Sequence, residues 1–310
     1  GSDFRGDSFF NLAASYRRTW INSLGAEWRT DAQVGRTTRL ETEFYQPLRS
    51  DGAFFIAPHA GVERRSADLF ADSQQIARYN IRTTEAALDV GAVLGTFGEA
   101  RLGVLTGTVD STLDIGPPAL APEGKATRGA ATAQIVIDRL DSANFPRAGY
   151  AGSAHIYASR QALGASDAYT KWDADFLSAY AVGRHTISVA GRAGGPLGSG
   201  PLPRYDLFQW GGFLQQSGYP MGALVGQQLV FGRIVYTYKL AQQRLLEGVY
   251  AGVSLEAGRM DEPLVPQSPT GLLKSTSAFL GLDTPLGPLY IGYGWAADGN
   301  RSAYLYLGRP

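Results

Sequence analysis

The chain has 310 residues, with 39 glycines, 2 methionines and no cysteine, which points away from a helical enzyme core and excludes disulfides and thiolate catalysis. Hydrophobic residues make up 44% and charged residues 18%, so the chain is too apolar for disorder, while its mean hydropathy of -0.13 is too low for helical membrane spans. Lysine plus arginine and aspartate plus glutamate both number 28, and the resulting zero net charge argues against an electrostatic nucleic-acid binder.

Apolar residues alternate with polar, charged or small residues in segment after segment, which is the pattern of β-strands. In chain order, we predict strands at Phe9–Arg17, Ala26–Val34, Thr37–Gln46, Phe54–Arg64, Ile76–Val93, Glu99–Val109, Ala130–Leu140, Tyr150–Arg160, Thr170–Val182, Thr186–Gly194, Gln227–Leu240, Val249–Gly258, Leu273–Asp283, Leu289–Trp295 and Ser302–Gly308. This total of about fifteen is odd, whereas single-chain bacterial barrels close with even numbers. One strand is therefore expected to be short, merged or missing.

The fifth predicted strand changes the phase of its alternation. Tyr79 and Ile81 share one parity, whereas Leu88 and Val90 share the other. Because a β-bulge inserts one residue and switches the face of everything after it, we predict a bulge near Thr83–Glu85.

Short turns and long insertions separate the predicted strands. Pro146–Gly149 and Thr284–Gly287 have the residue chemistry of hairpin turns. Long polar or Gly/Pro-rich insertions fall near Ala67–Ser73, Gly116–Gly129, Gly195–Val225 and Met260–Gly271. Short turns at one end and long loops at the other are typical of an outer-membrane barrel, so the predicted fold class is all-β, a transmembrane antiparallel β-barrel.

A soluble β-sandwich is the alternative, since its strands also alternate. The strand number is too high for one sandwich, and the polar faces carry dense mixed charge. Aromatic residues also occupy the apolar faces, as the interfacial girdle of a barrel requires. They include Tyr16, Trp28, Trp172, Tyr236, Tyr238, Tyr293 and Trp295.

Charged residues on the opposite strand faces are predicted to point into the lumen. They are Glu27, Arg29, Asp31, Arg39, Glu41, Glu43, Arg101, Asp173, Asp175, Arg192, Arg233 and Glu256. Their mixed signs predict a weakly selective, wet interior, in which most of them form structural ion pairs and others could contact a transported molecule.

No catalytic constellation emerges from the sequence. A serine hydrolase needs a Gly-x-Ser-x-Gly elbow, and Gly164–Ala168 comes nearest but lacks the last glycine. Asp51 lies in a predicted hairpin turn, and His59, His155 and His185 fall on separate strands without ligand spacing. We expect no enzymatic activity, cofactor or metal in this chain.

Several stretches resemble recurring motifs of the outer-membrane assembly and two-partner-secretion superfamily, the BamA/TamA/FhaC-like barrels. They are Trp20–Gly25, Tyr45–Leu48, the Asp141–Gly149 segment with Phe145, Pro146 and Gly149, and Trp210–Tyr219. The resemblance implies that Gly195–Val225 is the sixth extracellular loop, whose Arg-Gly-aromatic tip folds back into the lumen. Here the tip is Ser217, Gly218 and Tyr219, with Ser217 in place of the arginine; inward Arg233 and Glu256 are the candidate wall partners.

That departure and the ending Tyr304–Pro310 are similar to the C-terminal barrels of patatin-like type Vd autotransporters. The resemblance implies a sixteen-stranded barrel in the bacterial outer membrane, with Phe9–Arg17 as the second strand and the first at or before Gly1. It also implies that residues 1–310 form one barrel domain, a fragment whose patatin lipase and POTRA module lie upstream.

The expected function is export or display of that lipase passenger. A general pore, a protein-assembly insertase and an outer-membrane phospholipase are the alternatives. The expected partners are the passenger and POTRA domain, the outer-membrane assembly machinery, and outer-membrane lipids including lipopolysaccharide. A homo-oligomer is compatible with the sequence, whereas a nucleic-acid partner is not.

Overall fold

The computed structural model describes residues 2–3, 11–71, 74–116, 124–198, 200–243, 246–285 and 287–308. Within these ranges the strands are β1 (Ser2–Asp3), β2 (Asn11–Arg18), β3 (Glu27–Gly35), β4 (Thr37–Pro47), β5 (Phe54–Ala71), β6 (Gln74–Val93), β7 (Gly98–Ile115), β8 (Gly124–Asp138), β9 (Ala148–Ser159), β10 (Tyr169–Val182), β11 (His185–Pro196), β12 (Phe208–Trp210), β13 (Leu224–Gln243), β14 (Leu246–Pro263), β15 (Leu273–Thr284), β16 (Gly287–Ala296) and β17 (Arg301–Leu307). Gln161–Leu163 and Arg204–Asp206 form short 3₁₀ turns. None of the described residues forms a helix long and apolar enough to cross a membrane.

The described strands form one antiparallel sheet that is the wall of a β-barrel. From β2 to β17 each wall strand pairs with the next wall strand in sequence, and β1 pairs with β17. β12 lies within the connection between β11 and β13, which also pair directly. Of the seventeen described strands, the sixteen other than β12 make the wall, which confirms the predicted number. The first strand lies within the chain rather than before it, because Ser2 of β1 pairs antiparallel with Leu305 of β17. Phe9 and Phe10 lie outside the described residues.

Alternation along the wall sorts side chains between bilayer and lumen as predicted. On β14, Leu255 is 68% exposed on the outer face, whereas Ser254 beside it is 1% exposed inside the barrel. Trp28, Tyr293 and Trp295 are exposed on the same outer face. This apolar band is what a bilayer requires, since a charge on the lipid face costs about 2–4 kcal/mol at the midplane.

The predicted bulge near Thr83–Glu85 is wrong. Residues 83–85 pair in unbroken register with both neighbouring strands, and the register shifts of β6 lie instead opposite Leu69/Phe70 and between Arg78 and Tyr79. Tyr79 and Ile81 are only 3% and 5% exposed because they point into the lumen, where a loop packs on them. The change of pattern therefore records an apolar patch inside the barrel, not a change of strand face.

Three of the four predicted insertions are shorter than expected. β5 continues to Ala71, β8 begins at Gly124 and β14 continues to Pro263, while residues 72–73 and 117–123 lie outside the described residues. Near the end of β5 the consecutive residues Ala67, Asp68 and Leu69 are all buried, so alternation no longer marks the strand there. The fourth insertion matches its prediction, since β11 ends at Pro196 and β13 begins at Leu224.

Candidate functional site

The connection between β11 and β13, residues 197–223, enters the barrel, and we call it the inward loop. Ser199 lies outside the described residues. The predicted tip is deeply buried: Ser217 is 0% exposed and Tyr219 is 3% exposed, and Gln216 just before the tip is also 0% exposed. Apolar residues of the loop, including Phe208 and Trp210, join a core with residues of the surrounding wall. The loop is therefore a packed part of the barrel interior.

Glu256 of β14 binds the tip of the inward loop. Its Oε2 accepts the backbone N–H groups of Gln216 at 2.8 Å and Ser217 at 2.6 Å. Its Oε1 accepts the hydroxyl of Ser217 at 2.7 Å and that of Ser254 at 2.6 Å. Hydrogen bonds to an ionised acceptor are about twice as strong as neutral ones, and these four donors satisfy a carboxylate that is 3% exposed. The expected wet lumen is wrong at this position.

Gly218 and Tyr219 complete the tip. The Gly218 N–H donates to the Tyr304 hydroxyl at 2.9 Å, and that hydroxyl donates to the Tyr219 carbonyl at 3.0 Å. The Tyr219 hydroxyl donates to Asp298 in the β16–β17 turn. Burial, together with this bond to Asp298, raises the pKa of Tyr219. The φ of Gly218 is +100°, and a Cβ there would lie 2.7 Å from the Ala296 nitrogen, so this position requires glycine.

Arg233, the second candidate wall partner, also contacts the loop. Its Nη1 donates to the Leu214 carbonyl at 2.6 Å. Arg233 lies on β13 directly across from Glu256, so the two side chains project from neighbouring positions on the same wall. The structure thus brings both predicted partners to the loop, Glu256 to Ser217 of its tip and Arg233 to Leu214, three residues before Ser217.

Small inward residues on the last four strands make room for the loop. A Cβ at Gly294 would lie 2.7 Å from both the Gly218 nitrogen and the Ser217 Cβ, and one at Gly258 would lie 2.5 Å from the Trp210 ring. The small inward positions are Gly252, Ser254, Gly258, Ser275, Ser277, Gly292, Gly294 and Ser302. Sequence reasoning placed Ser254 inside the barrel but did not identify these positions as space for the loop.

The stem of the inward loop is fixed on the opposite wall. Arg65 of β5 donates to the Tyr205 carbonyl at 2.9 Å. From β10, Tyr169 donates to Asp206 Oδ2 at 2.7 Å and Lys171 to Asp206 Oδ1 at 3.0 Å. The loop therefore crosses the lumen, with its stem held by β5 and β10 and its tip held by β14 and β17.

The turn between β8 and β9 enters the lumen from the periplasmic end. Phe145 stacks on Tyr250 with ring centroids 4.3 Å apart, in a cluster that also contains Phe213 of the inward loop. Gly149 has a φ of +101°, and a Cβ there would lie 2.0 Å from a backbone oxygen, so glycine is required. Burial acts to raise the pKa of Asp141, but the Ala148 and Arg147 N–H groups outweigh it and hold that pKa below its usual value.

Ion pairs line the remaining wall. Arg101 contacts Glu43 at 2.6 Å and Glu99 at 2.7 Å, and Arg128 contacts Glu85 at 2.8 Å. Further pairs join Arg17 to Glu27, Arg29 to Asp31 and Arg39 to Glu41. Pairing is therefore confirmed for much of the predicted inward charge.

The loop divides the space inside the barrel. Cavities of ≈ 310 and ≈ 200 Å³ on the extracellular side are both lined by Tyr205 of its stem. A cavity of ≈ 180 Å³ on the periplasmic side is lined by Leu214 of its tip segment and by Phe145. The inward loop therefore contributes to the walls of all three cavities.

The residues weighed for catalysis lie apart. Ser166 lies in the β9–β10 loop, where its hydroxyl accepts the Thr127 N–H at 2.9 Å, and Asp51 lies in the β4–β5 turn. His59, His155 and His185 lie on β5, β9 and β11. Within the described ranges, no three histidine, aspartate or glutamate residues are grouped to hold a metal ion.

Fold and site together define an outer-membrane β-barrel whose lumen holds its own loop. The chain belongs to the Omp85 superfamily, whose domain profile matches residues 21–308. This membership places it in the bacterial outer membrane. A search of curated proteins found no match.

Solved structures share the fold at low sequence identity. BamA from Haemophilus ducreyi lacking POTRA domains 1–3 matches with a TM-score of 0.74 and 13% identity over 95% of this chain and 66% of that one. CdiB from Escherichia coli matches with a TM-score of 0.61 and 15% identity, over 96% and 59% of the two chains. CdiB from Acinetobacter baumannii matches with a TM-score of 0.58 and 12% identity, over 95% and 58%. The chain thus spans about three fifths of the length of these proteins.

Proposed function

We propose that the chain is the outer-membrane translocator and anchor of a polypeptide passenger. The passenger is a patatin-like phospholipase that precedes the barrel together with a POTRA module. Membership of the Omp85 superfamily supports a role in handling polypeptides at the outer membrane. The patatin-like passenger rests on the resemblance of the Ser217–Tyr219 tip and of the chain ending to type Vd autotransporters.

The observation that carries the proposal is the attachment of the inward loop. Glu256 and Tyr304 hold its tip, while Arg65 and Lys171 hold its stem. A general pore needs an open lumen at rest, and a loop fixed at both ends across the lumen opposes that function. A translocator needs the opposite, a seal that opens only for its passenger.

A protein-assembly insertase is the second candidate, because its working part would be a weakly paired seam between the first and last strands. Here β1 pairs with β17 through Ser2 and Asp3 among the described residues. A disulfide between cysteines introduced at Ser2 and Leu305 would lock this seam. Export through the lumen tolerates the lock, whereas insertion through the seam does not.

Surface display tests the proposal. The full-length protein, with an epitope in its N-terminal domain, is produced in intact cells and probed with an antibody and an external protease. We expect the epitope outside the cell, and we expect Glu256→Ala to change the exposed fraction. An epitope that stays in the periplasm while the barrel is folded would contradict translocation.

The same preparation tests the passenger. Phospholipid hydrolysis is expected from the full-length protein and not from residues 1–310, because this chain lacks an elbow serine. Hydrolysis by the barrel alone that disappears in Ser166→Ala would favour the outer-membrane phospholipase.

A further inference from the structure

The periplasmic cavity of ≈ 180 Å³ has an unusual lining. Four aromatic side chains form one part of its wall: Phe145, Tyr250, Phe279 and Tyr290. Hydroxyl groups of Thr186, Ser188 and Thr237 form another part. Small-molecule sites usually measure about 300–1,000 Å³, so this cavity is the size of a side chain rather than of a whole ligand.

The charged residues that line the cavity directly are both arginines. Arg233 and Arg147 both line it, and its described lining residues include no aspartate or glutamate. The extracellular cavity of ≈ 200 Å³ differs, because there Glu41, Glu63 and Glu85 accompany the arginines. The periplasmic cavity therefore suits an anionic group, whereas the extracellular cavity is lined by both acidic and basic side chains.

The guanidinium of Arg233 has N–H donors that the described hydrogen bonds do not use. A guanidinium carries five N–H donors, and among the described residues the hydrogen bond of Arg233 goes to the Leu214 carbonyl. Its cross-strand neighbour Glu256 interacts with Arg233 electrostatically, but it takes up none of the Arg233 donors in the described structure. The oxygens of Glu256 accept two N–H groups and two hydroxyls from elsewhere. Arg147 donates to the Gly183 carbonyl, which holds it at the rim beside the β10–β11 turn.

We infer that this cavity is a receptor site for a peptide segment in which an aromatic side chain stands next to a carboxylate. The aromatic ring occupies the space beside Phe279 and Tyr290, and the carboxylate binds the free donors of Arg233. Aromatic contacts and charge-assisted hydrogen bonds favour this pair of groups together. The inference rests on the proposed function, since a translocator meets its passenger from the periplasmic side, and it names the chemistry of the first segment bound.

Binding to the purified chain in detergent tests the site directly. Fluorescence anisotropy compares three dye-labelled, capped peptides with the cores Gly-Phe-Asp-Gly, Gly-Phe-Asn-Gly and Gly-Ala-Asp-Gly. We expect the Phe-Asp peptide to bind about tenfold more tightly than the Phe-Asn peptide, since a hydrogen bond from a guanidinium to a carboxylate is stronger than one to a neutral amide. The Ala-Asp peptide should bind more weakly as well.

Variants distinguish binding in the cavity from nonspecific electrostatic attraction of an acidic peptide. Arg233→Gln should abolish the preference for Asp over Asn, Arg233→Lys should retain most of it, and Ser188→Trp should fill the cavity and weaken both Phe peptides. Arg192→Gln is the matched control, because Arg192 is an arginine of β11 that does not line the cavity. Each variant is checked for folding by heat-dependent electrophoretic mobility.

Equal affinity for the Asp and Asn peptides, or a preference that survives Arg233→Gln, would overturn the inference. Surface display of the passenger is measured separately in cells. Selective peptide binding without surface display would support the binding site and contradict the proposed function. Surface display without selective peptide binding would support the proposed function and contradict the binding site.

Discussion

Ser217 and Glu256 are joined by two hydrogen bonds, from the Ser217 N–H to Oε2 at 2.6 Å and from its hydroxyl to Oε1 at 2.7 Å. A small neutral side chain thus lets the backbone of the tip bind the wall carboxylate directly. No cation from the loop is needed, because four donors share the charge of Glu256.

Removal of this carboxylate should loosen the loop. Glu256→Ala leaves buried N–H groups of Gln216 and Ser217 without acceptors, at about 1–3 kcal/mol for each unsatisfied group. Thermal unfolding in detergent should therefore occur at a lower temperature. Glu41→Ala is the control, since Glu41 forms a half-exposed pair with Arg39 at 3.6 Å and should change stability by less than about 1 kcal/mol. Equal effects of the two variants would contradict the role of Glu256.

Gly218→Ala should destabilise the barrel through both strain and contact. The φ of Gly218 is +100°, and its new Cβ would lie 2.7 Å from the Ala296 nitrogen. Gly271→Ala separates the two causes, because Gly271 has a φ of +85° and nothing within 4 Å of a Cβ. The strain alone is expected to cost about 1 kcal/mol. Unfolding temperatures lowered equally by both variants would show that the tip is not tightly packed.

An arginine at position 255 should impair insertion into membranes. Leu255 points to lipid, where the charge costs about 2–4 kcal/mol near the midplane. Ser153→Arg is the control, because Ser153 faces the lumen and its hydroxyl contacts Asp175, which would receive the new cation. Folding yield in lipid vesicles distinguishes them, and comparable losses would mean that the strand register is wrong.

The stability contributed by Asp141 should depend on pH. Its pKa is lower in the folded barrel than the ordinary value of 3.8, so its contribution is present above that value and is lost as the pH falls through the folded pKa. Asp141→Asn should therefore unfold more easily than the parent protein at neutral pH, and the difference should shrink in acid. A difference that stays constant from pH 7 down to about pH 2 would refute this account.

The fold could be predicted because lipid and lumen impose opposite demands on alternate residues. That rule places Leu255 outside and Ser254 inside. It failed at Tyr79 and Ile81, which are apolar and yet face inward, because the inward loop covers them. Periodicity reports the polarity of the environment and not the direction of a side chain.

The site was predictable only in part. The resemblance to the superfamily indicated the tip at Ser217–Tyr219. The alternation along the strands placed Arg233 and Glu256 on the inward face and so indicated them as neighbours of the tip. The contact of Arg65 with Tyr205 joins residues 140 positions apart and depends on the path of the loop across the lumen. No local pattern encodes such a path, since the hydrogen bond uses a backbone carbonyl that every residue possesses.

Single-channel conductance in planar bilayers tests the plugged lumen most directly. The parent chain is compared with a variant in which residues 203–222 are replaced by a short Gly/Ser linker. We expect the parent chain to show little or no steady conductance and the loop-deleted barrel to form a stable, large pore. A parent chain that conducts as an open barrel, or a deletion that leaves the conductance unchanged, would contradict the account.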